Sequence, residues 1–284
     1  MYACGDMTPS RIDDVFADLR ATKRKAIIPF VCGGSPVADN GPDAVGSTGQ
    51  LIRALDESGA NIIEVGIPFS DPIADGPVIA AAMHRALGEG ATPGGVFQSV
   101  AAVRSSVKAG LVAMISMSLV HRMGAGRGAS IAIGFVSLTK EAGFDGLIVP
   151  DCPLEASGEL AAAAASMGLS YIQLISPTTP AARVAEIAKA SSGFIYAMSR
   201  VGITGMQATL PDIGPLVARI RNVTELPIAV GFGVSTAAHV RAVHAHADGA
   251  ILGSALVKRL TAAAAEGGDV VQAARDFFRE LVEG

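Results

Sequence analysis

The sequence predicts a closed (β/α)8 barrel, a ring of eight parallel strands inside an outer layer of helices. Three observations carry that expectation. Eight short apolar runs recur along the 284 residues, nearly continuous in apolar character, as strands covered on both faces must be. Helical patterns separate them. No glycine fingerprint of an open, doubly wound sheet follows the first run, where Gly33-Gly34-Ser35-Pro36 stands instead.

The runs are Ala26–Val31, Asn61–Val65, Leu111–Ile115, Gly146–Val149, Tyr171–Ile175, Phe194–Met198, Pro227–Val230 and Ala250–Leu252. Helical periodicity marks Gln50–Glu57, Val96–Lys108, Ser157–Ser166, Arg183–Lys189, Ile213–Ile220 and Ala237–His244. Thr8-Pro9 reads as a helix start, and Thr92-Pro93 and Thr179-Pro180 each supply a threonine cap before a first-turn proline. The segment from Gly267 onward reads as an amphipathic helix on the outer ring, so the barrel carries extra helices at both termini. No composition shift divides the chain, and residues 1–284 read as one (β/α)8 TIM-barrel domain. The stretch Gly34–Gly49, rich in Gly, Pro, Asp, Asn and Ser, reads as a long loop after the first strand.

Composition narrows the function classes. Half of the residues are apolar, enough for a large core, and the net charge of −4 offers no broad basic face to nucleic acid or to an acidic membrane. No apolar run is long enough to span a bilayer, and the opening ten residues lack the apolar core of a secretory signal. Cys4, Cys32 and Cys152 form neither a CxxC pair nor a zinc-ligand spacing. A reduced, cytosolic protein is the simplest reading.

In such a barrel the strand ends converge on one mouth. The second run carries Glu64 among Ile62, Ile63 and Val65. A carboxylate there is costly unless paired, solvated or protonated. Strand alternation sets Glu64 opposite Ile63 and Val65, facing either the barrel interior or the helices. It reads equally as a structural carboxylate held by backbone donors or as a general acid/base of raised pKa. The next segment decides between them. Pro68-Phe69-Ser70-Asp71-Pro72-Ile73-Ala74-Asp75-Gly76-Pro77 has three prolines, two aspartates and a glycine, and it reads as a rigid loop. Such a loop holds a second carboxylate, Asp75, at a fixed place beside the first. Two carboxylates in unlike environments divide the work, one shuttling protons and the other staying ionised. Asp71 reads equally well as a turn cap.

Glycine turns close the seventh and eighth runs, at Gly231-Phe232-Gly233 and Gly253-Ser254, the latter opening a helix. Backbone N–H groups and a helix N-terminus bind a phosphate dianion there without lysine. The same residues also read as tight turns alone. Ser199-Arg200-Val201-Gly202-Ile203-Thr204-Gly205 suits a lid beside that site. Tyr196 is a strand residue that reaches either the mouth or the core. His84, His121, His239, His244 and His246 show no metal-like clustering with carboxylates, and His244 and His246 read as surface residues near a helix end.

These residues resemble the tryptophan synthase α-chain family. Glu64 to Pro77 follows its signature almost throughout. Pro29-Phe30, Asp151-Cys152-Pro153, Ser199–Gly205, Gly231-Phe232-Gly233 and Gly253-Ser254-Ala255 fall in its order. The resemblance spans residues 10–265 and implies retro-aldol cleavage of indole-3-glycerol phosphate to indole and glyceraldehyde 3-phosphate. It implies Glu64 as acid/base, Asp75 on the indole N–H and Tyr196 near the reacting centre. Gly205, Gly233, Gly253 and Ser254 would hold the phosphate. Phe30, Ile79 and Phe232 would line the indole pocket, and Thr204 would help close the lid. It implies no metal or organic cofactor on this chain, and a tryptophan synthase β chain as partner in an αββα assembly.

Two departures stand out. Gly34-Ser35-Pro36 replaces the family's usual Gly-Asp-Pro, and Ser116 and Ser118 stand where a Tyr-x-Asn pair is usual. Both lie near where the family docks its β chain. A free-standing lyase and a non-catalytic regulatory partner are therefore the alternatives. A Schiff-base aldolase is disfavoured, because no lysine lies inside any of the eight runs.

Overall fold

A computed structural model describes residues 9–36, 46–72, 75–199, 211–231 and 233–283. The strands are β1 (Ala26–Cys32), β2 (Ile62–Gly66), β3 (Gly110–Met114), β4 (Gly146–Ile148), β5 (Ser170–Ile175), β6 (Ile195–Met198), β7 (Ile228–Gly231) and β8 (Gly249–Leu252). Each pairs in parallel with the next, and β8 returns to β1, closing the barrel. The helices are α1 (Arg11–Ala21), α2 (Gly46–Glu57), α3 (Pro77–Gly88), α4 (Pro93–Val103), α5 (Met117–Gly124), α6 (Ile131–Glu141), α7 (Gly158–Ser166), α8 (Ala181–Ala190), α9 (Gly214–Arg221), α10 (Ala237–His244), α11 (Ser254–Ala265) and α12 (Val270–Glu283). None of the described helices is long and apolar enough to cross a membrane.

The two-residue period of the strands sorts their side chains into two cores. Ile63 and Val65 join the outer core between strands and helices, whereas Phe30, Ile62, Val112 and Tyr196 join the barrel interior. Register sets Phe30, Glu64 and Val112 at one level. Glu64 shares the phase of Ile62, so its side chain belongs to the interior.

One end of the barrel is plugged. Ser10 caps α1 through a reciprocal capping box with Asp13, and its hydroxyl lies 2.7 Å from the Ser170 hydroxyl. Ile12, Phe16 and Leu19 then enter the interior core, Phe16 packing on Phe194 with ring centroids 5.7 Å apart. The N-terminal ends of the strands are thereby sealed, and the C-terminal ends are left as the mouth. At the far end of the chain α12 lies across α11 and α2, tied by Arg275 to Glu57 at 2.6 Å.

Local expectations needed three corrections. Thr92 caps α4 by accepting from the Gly95 N–H, but Thr179 does not cap α8. Pro180 holds the cap position, and the Thr179 hydroxyl accepts from Ser176 N at 3.0 Å instead. The helix expected over Val96–Lys108 starts at Pro93 and stops at Val103, giving way to a 3-10 turn, Arg104–Ser106. There the Arg104 guanidinium donates to the carbonyls of Val107 and Ala109 and pairs with Asp145, fixing the turn. His244 is half-buried rather than a surface residue. Its Nε2 lies 3.0 Å from the Ala26 carbonyl, and burial lowers its pKa.

Candidate active site

The mouth gathers its groups from the strand ends. Glu64, on β2, is 2 % exposed, and its Oε1 has no hydrogen-bond partner among the described residues. Burial first, and the negative charge of Asp75 second, push its pKa up to about 8. At neutral pH the Glu64 carboxyl therefore carries its proton.

Asp75 follows the rigid loop and directly precedes Gly76, the N-cap of α3. Its N–H closes a turn on the Pro72 carbonyl at 3.0 Å, and His84 of α3 lies 3.0 Å from the Ser70 carbonyl. Turn, proline and helix together fix where the carboxylate stands. Burial raises its pKa to about 6, so it stays ionised at neutral pH. The pair thus holds one proton and one negative charge. Asp71 is exposed and accepts from the Ser70 hydroxyl at 3.3 Å, a loop role only.

Tyr196, on β6, is buried in the interior. Its pKa is raised well above the usual phenol value, first by burial and then by the charges of Glu64 and Asp75. Two strand-end glycines make room for the aromatic rings, which the sequence reading missed. A Cβ on Gly231 would collide with the Tyr196 hydroxyl, and one on Gly66 would collide with the Phe30 ring. The signal was available, because each glycine shares the inward phase of its strand.

The remaining expected residues divide into two groups. A Cβ on Gly253 would lie 3.3 Å from Ile79 Cδ1 and 3.7 Å from Phe30 Cβ, so Phe30, Ile79 and Gly253 share one wall. Gly253 is also the N-cap of α11 and offers no side chain to the leading N–H groups. Ser254 begins that helix and is 9 % exposed. Gly233 takes φ +87° after β7, a left-handed conformation that favours glycine. Open helix N–H groups beside a glycine turn form an anion-binding corner. Thr204, Gly205 and Phe232 lie outside the described residues, as do positions 200–203 of the expected lid and 37–45 of the expected long loop. At the base of that long loop, Gly34 N–H donates to the Thr48 hydroxyl at 2.9 Å.

Sequence reading named Ser116 and Asp151 but missed the wall they join between β2 and β4. Ile67, Phe69, Met83, Met114, Ser116 and Asp151 border a small cavity against Asp75. Met114 could have been found by phase alone, since it pairs with Gly66 and shares the inward face of Glu64.

Comparisons with known proteins show what the chain and its fold are similar to. The family model described as tryptophan synthase alpha chain matches residues 16–283. The chain is 40 % identical over 276 residues to the tryptophan synthase alpha chain of Prochlorococcus marinus, covering 96 % of this chain and 94 % of that one. It is 42 % identical over 258 residues to that of Synechococcus elongatus, covering 90 % and 92 %. A solved Mycobacterium tuberculosis tryptophan synthase superimposes with a TM-score of 0.83 at 34 % identity, over 96 % of this chain and 97 % of that one.

Proposed function

The chain belongs to the tryptophan synthase alpha chain family, and we propose that it cleaves indole-3-glycerol phosphate to indole and glyceraldehyde 3-phosphate through Glu64, Asp75 and Tyr196. One observation carries the assignment of roles. A buried, protonated carboxyl faces the barrel interior beside a second carboxyl that is ionised at the same pH.

The chemistry follows from that charge state. Glu64 gives its proton to indole C3, which turns the ring into an iminium whose N–H⁺ is held by the Asp75 carboxylate. Glu64, now ionised, takes the proton of the adjacent glycerol hydroxyl. The carbon–carbon bond then breaks, and its electron pair restores the indole ring as the hydroxyl carbon becomes an aldehyde. One proton leaves Glu64 and one returns, so the enzyme ends as it began. The glycine corner of Gly233, Gly253 and Ser254 anchors the phosphate, with Gly205 and the lid residue Thr204 assigned to the same end. Phe30, Ile79 and Phe232 form the apolar bed for the ring. Tyr196 stands over the reacting carbon, where its phenol reaches the glycerol hydroxyl.

The pathway role is tryptophan biosynthesis. The partner we assign is a tryptophan synthase β chain in an αββα assembly. A free-standing lyase is the second reading, favoured by Ser116 and Ser118. Their hydroxyls lie 2.8 Å apart and satisfy each other, where the family usually places longer phenol and amide groups.

Indole release from indole-3-glycerol phosphate, measured across pH with and without a β chain, tests the reading. The active form needs Asp75 ionised and Glu64 protonated. Rate is therefore expected to fall below about pH 6 and above about pH 8, with faster turnover when the β chain is added. Absence of indole under both conditions contradicts the lyase reading. Indole release that no β chain accelerates favours the free-standing form.

A further inference from the structure

The cavity lined in part by Asp75 extends beyond the groups assigned to the chemistry above. Its wall is drawn from the ends of β2, β3 and β4 and from α3, by Ile67, Phe69, Met83, Met114, Ser116 and Asp151. The free space amounts to about 20 Å³, room for roughly one or two groups the size of a water or methyl. Four of those six side chains are apolar, and two are methionines, the residue that adapts most readily to an irregular neighbour. Besides Asp75, which is reserved for the ring N–H, the polar members are already engaged. Ser116 caps α5 and meets Ser118, and Asp151 accepts from Met117 N at 2.8 Å. Neither makes a polar demand on an occupant.

We propose that this cavity is a recess for a small apolar substituent on the substrate's indole ring, and that Ser116 sets its depth. The inference rests on the lyase reading and on Asp75 holding the ring N–H. Strand order fixes the direction of the substrate. The anion corner lies at β7 and β8, and β3 and β4 stand across the mouth from it. A substrate anchored there by its phosphate, with its C3 at Glu64 and its N–H at Asp75, projects its benzo ring toward β3 and β4. The benzo carbon nearest the N–H, position 7, then faces the recess. The accepted class is indole-glycerol phosphates carrying a methyl or halogen at that carbon. Anything bulkier exceeds the space.

The test compares kcat/KM for indole-3-glycerol phosphate and its 7-methyl analogue in the full chain, in Ser116→Tyr and in Ser116→Ala. Tyrosine fills the recess. Alanine removes the α5 cap but leaves the space, and so controls for a purely structural effect. The unaltered chain is expected to cleave both substrates with similar kcat/KM. Ser116→Tyr is expected to lower the ratio of methylated to plain substrate by roughly 10–200-fold, the usual reach of one methyl in an apolar pocket. Ser116→Ala is expected to keep the ratio. The proposal is overturned if the unaltered chain cleaves the plain substrate yet rejects the methylated one as strongly as Ser116→Tyr does. It is equally overturned if Ser116→Ala moves the ratio as far as Ser116→Tyr. Cleavage of neither substrate overturns the lyase reading itself, and the recess assignment falls with it.

Discussion

Glu64→Gln is expected to abolish indole release, by a factor on the order of 10²–10⁴ or more, while the barrel folds and gains stability near neutral pH. The two effects share one cause. Glu64 sits in a barrel interior that raises its pKa from 4.5 to about 8. Folding therefore favours the protonated form. For a group raised in this way, the stabilising proton is fully bound in both states below about pH 4.5. Its contribution is lost as pH climbs from there through 8, and no further loss follows above that. At pH 7 the span crossed is 2.5 pH units, the difference between 7 and 4.5, which corresponds to a penalty of up to about 3 kcal/mol. Glutamine keeps the shape but does not ionise, so the penalty goes and so does the proton shuttle. Thermal unfolding of both forms at several pH values checks this. The gap between their melting temperatures should widen from pH 5 to pH 8. A variant less stable than the parent throughout that range, or one that still releases indole at the parental rate, contradicts the account.

Asp75→Asn is expected to cost on the order of 10²–10³ in kcat, the scale for removing one preorganised group that meets developing charge. It should also move the surviving pH dependence. Asp75 raises the pKa of Glu64 by its negative charge, second only to burial. An uncharged amide removes that contribution, so Glu64 surrenders its proton at lower pH. The alkaline limb of the residual activity must then shift downward, and the acid limb assigned to Asp75 must vanish. Loss of rate with both limbs in place would make Asp75 a structural residue of the loop and nothing more. Steady-state assays from about pH 5 to pH 9 separate these outcomes.

Much of the fold was legible because strand burial leaves a strong trace. All eight expected runs overlap an observed strand, with ends displaced by at most one residue. Three helices escaped notice, α3, α5 and α6. In α6 the sequence Ile131-Ala132-Ile133-Gly134-Phe135-Val136 is dense in residues that favour strands, and only its tertiary position makes it helical. Gly134 is admitted because its Cα faces the Arg127 carbonyl, where no side chain fits.

The site was legible in its charged members and in its glycines, because a carboxylate in an apolar strand and a glycine after one both demand a reason. Glu64, Asp75, Tyr196, Phe30, Ile79, Gly233, Gly253 and Ser254 were all named from residues and resemblance. The inward phase of Gly66 and Gly231 was legible too, but not their platform roles, because the ring above each comes from a neighbouring strand. The recess was hidden for the same reason. Met83 arrives from α3, Met114 from β3 and Asp151 from beyond β4, and nothing in their spacing reveals that they meet. Thr179 misled in the opposite way, because a Thr-Pro pair satisfies the capping pattern while the hydroxyl takes a nearer donor.

The ionisation of Glu64 itself tests the central claim most directly. Carbon-13 labelling of the glutamate carboxyls, with Glu64→Gln assigning the resonance, gives its titration midpoint by NMR. The expected midpoint in the parent chain is about 8, and it should fall in Asp75→Asn. A midpoint near the ordinary 4.5, unmoved by the loss of Asp75, would mean that Glu64 is neither protonated at neutral pH nor coupled to its neighbour, and the proton shuttle proposed for this barrel could not operate.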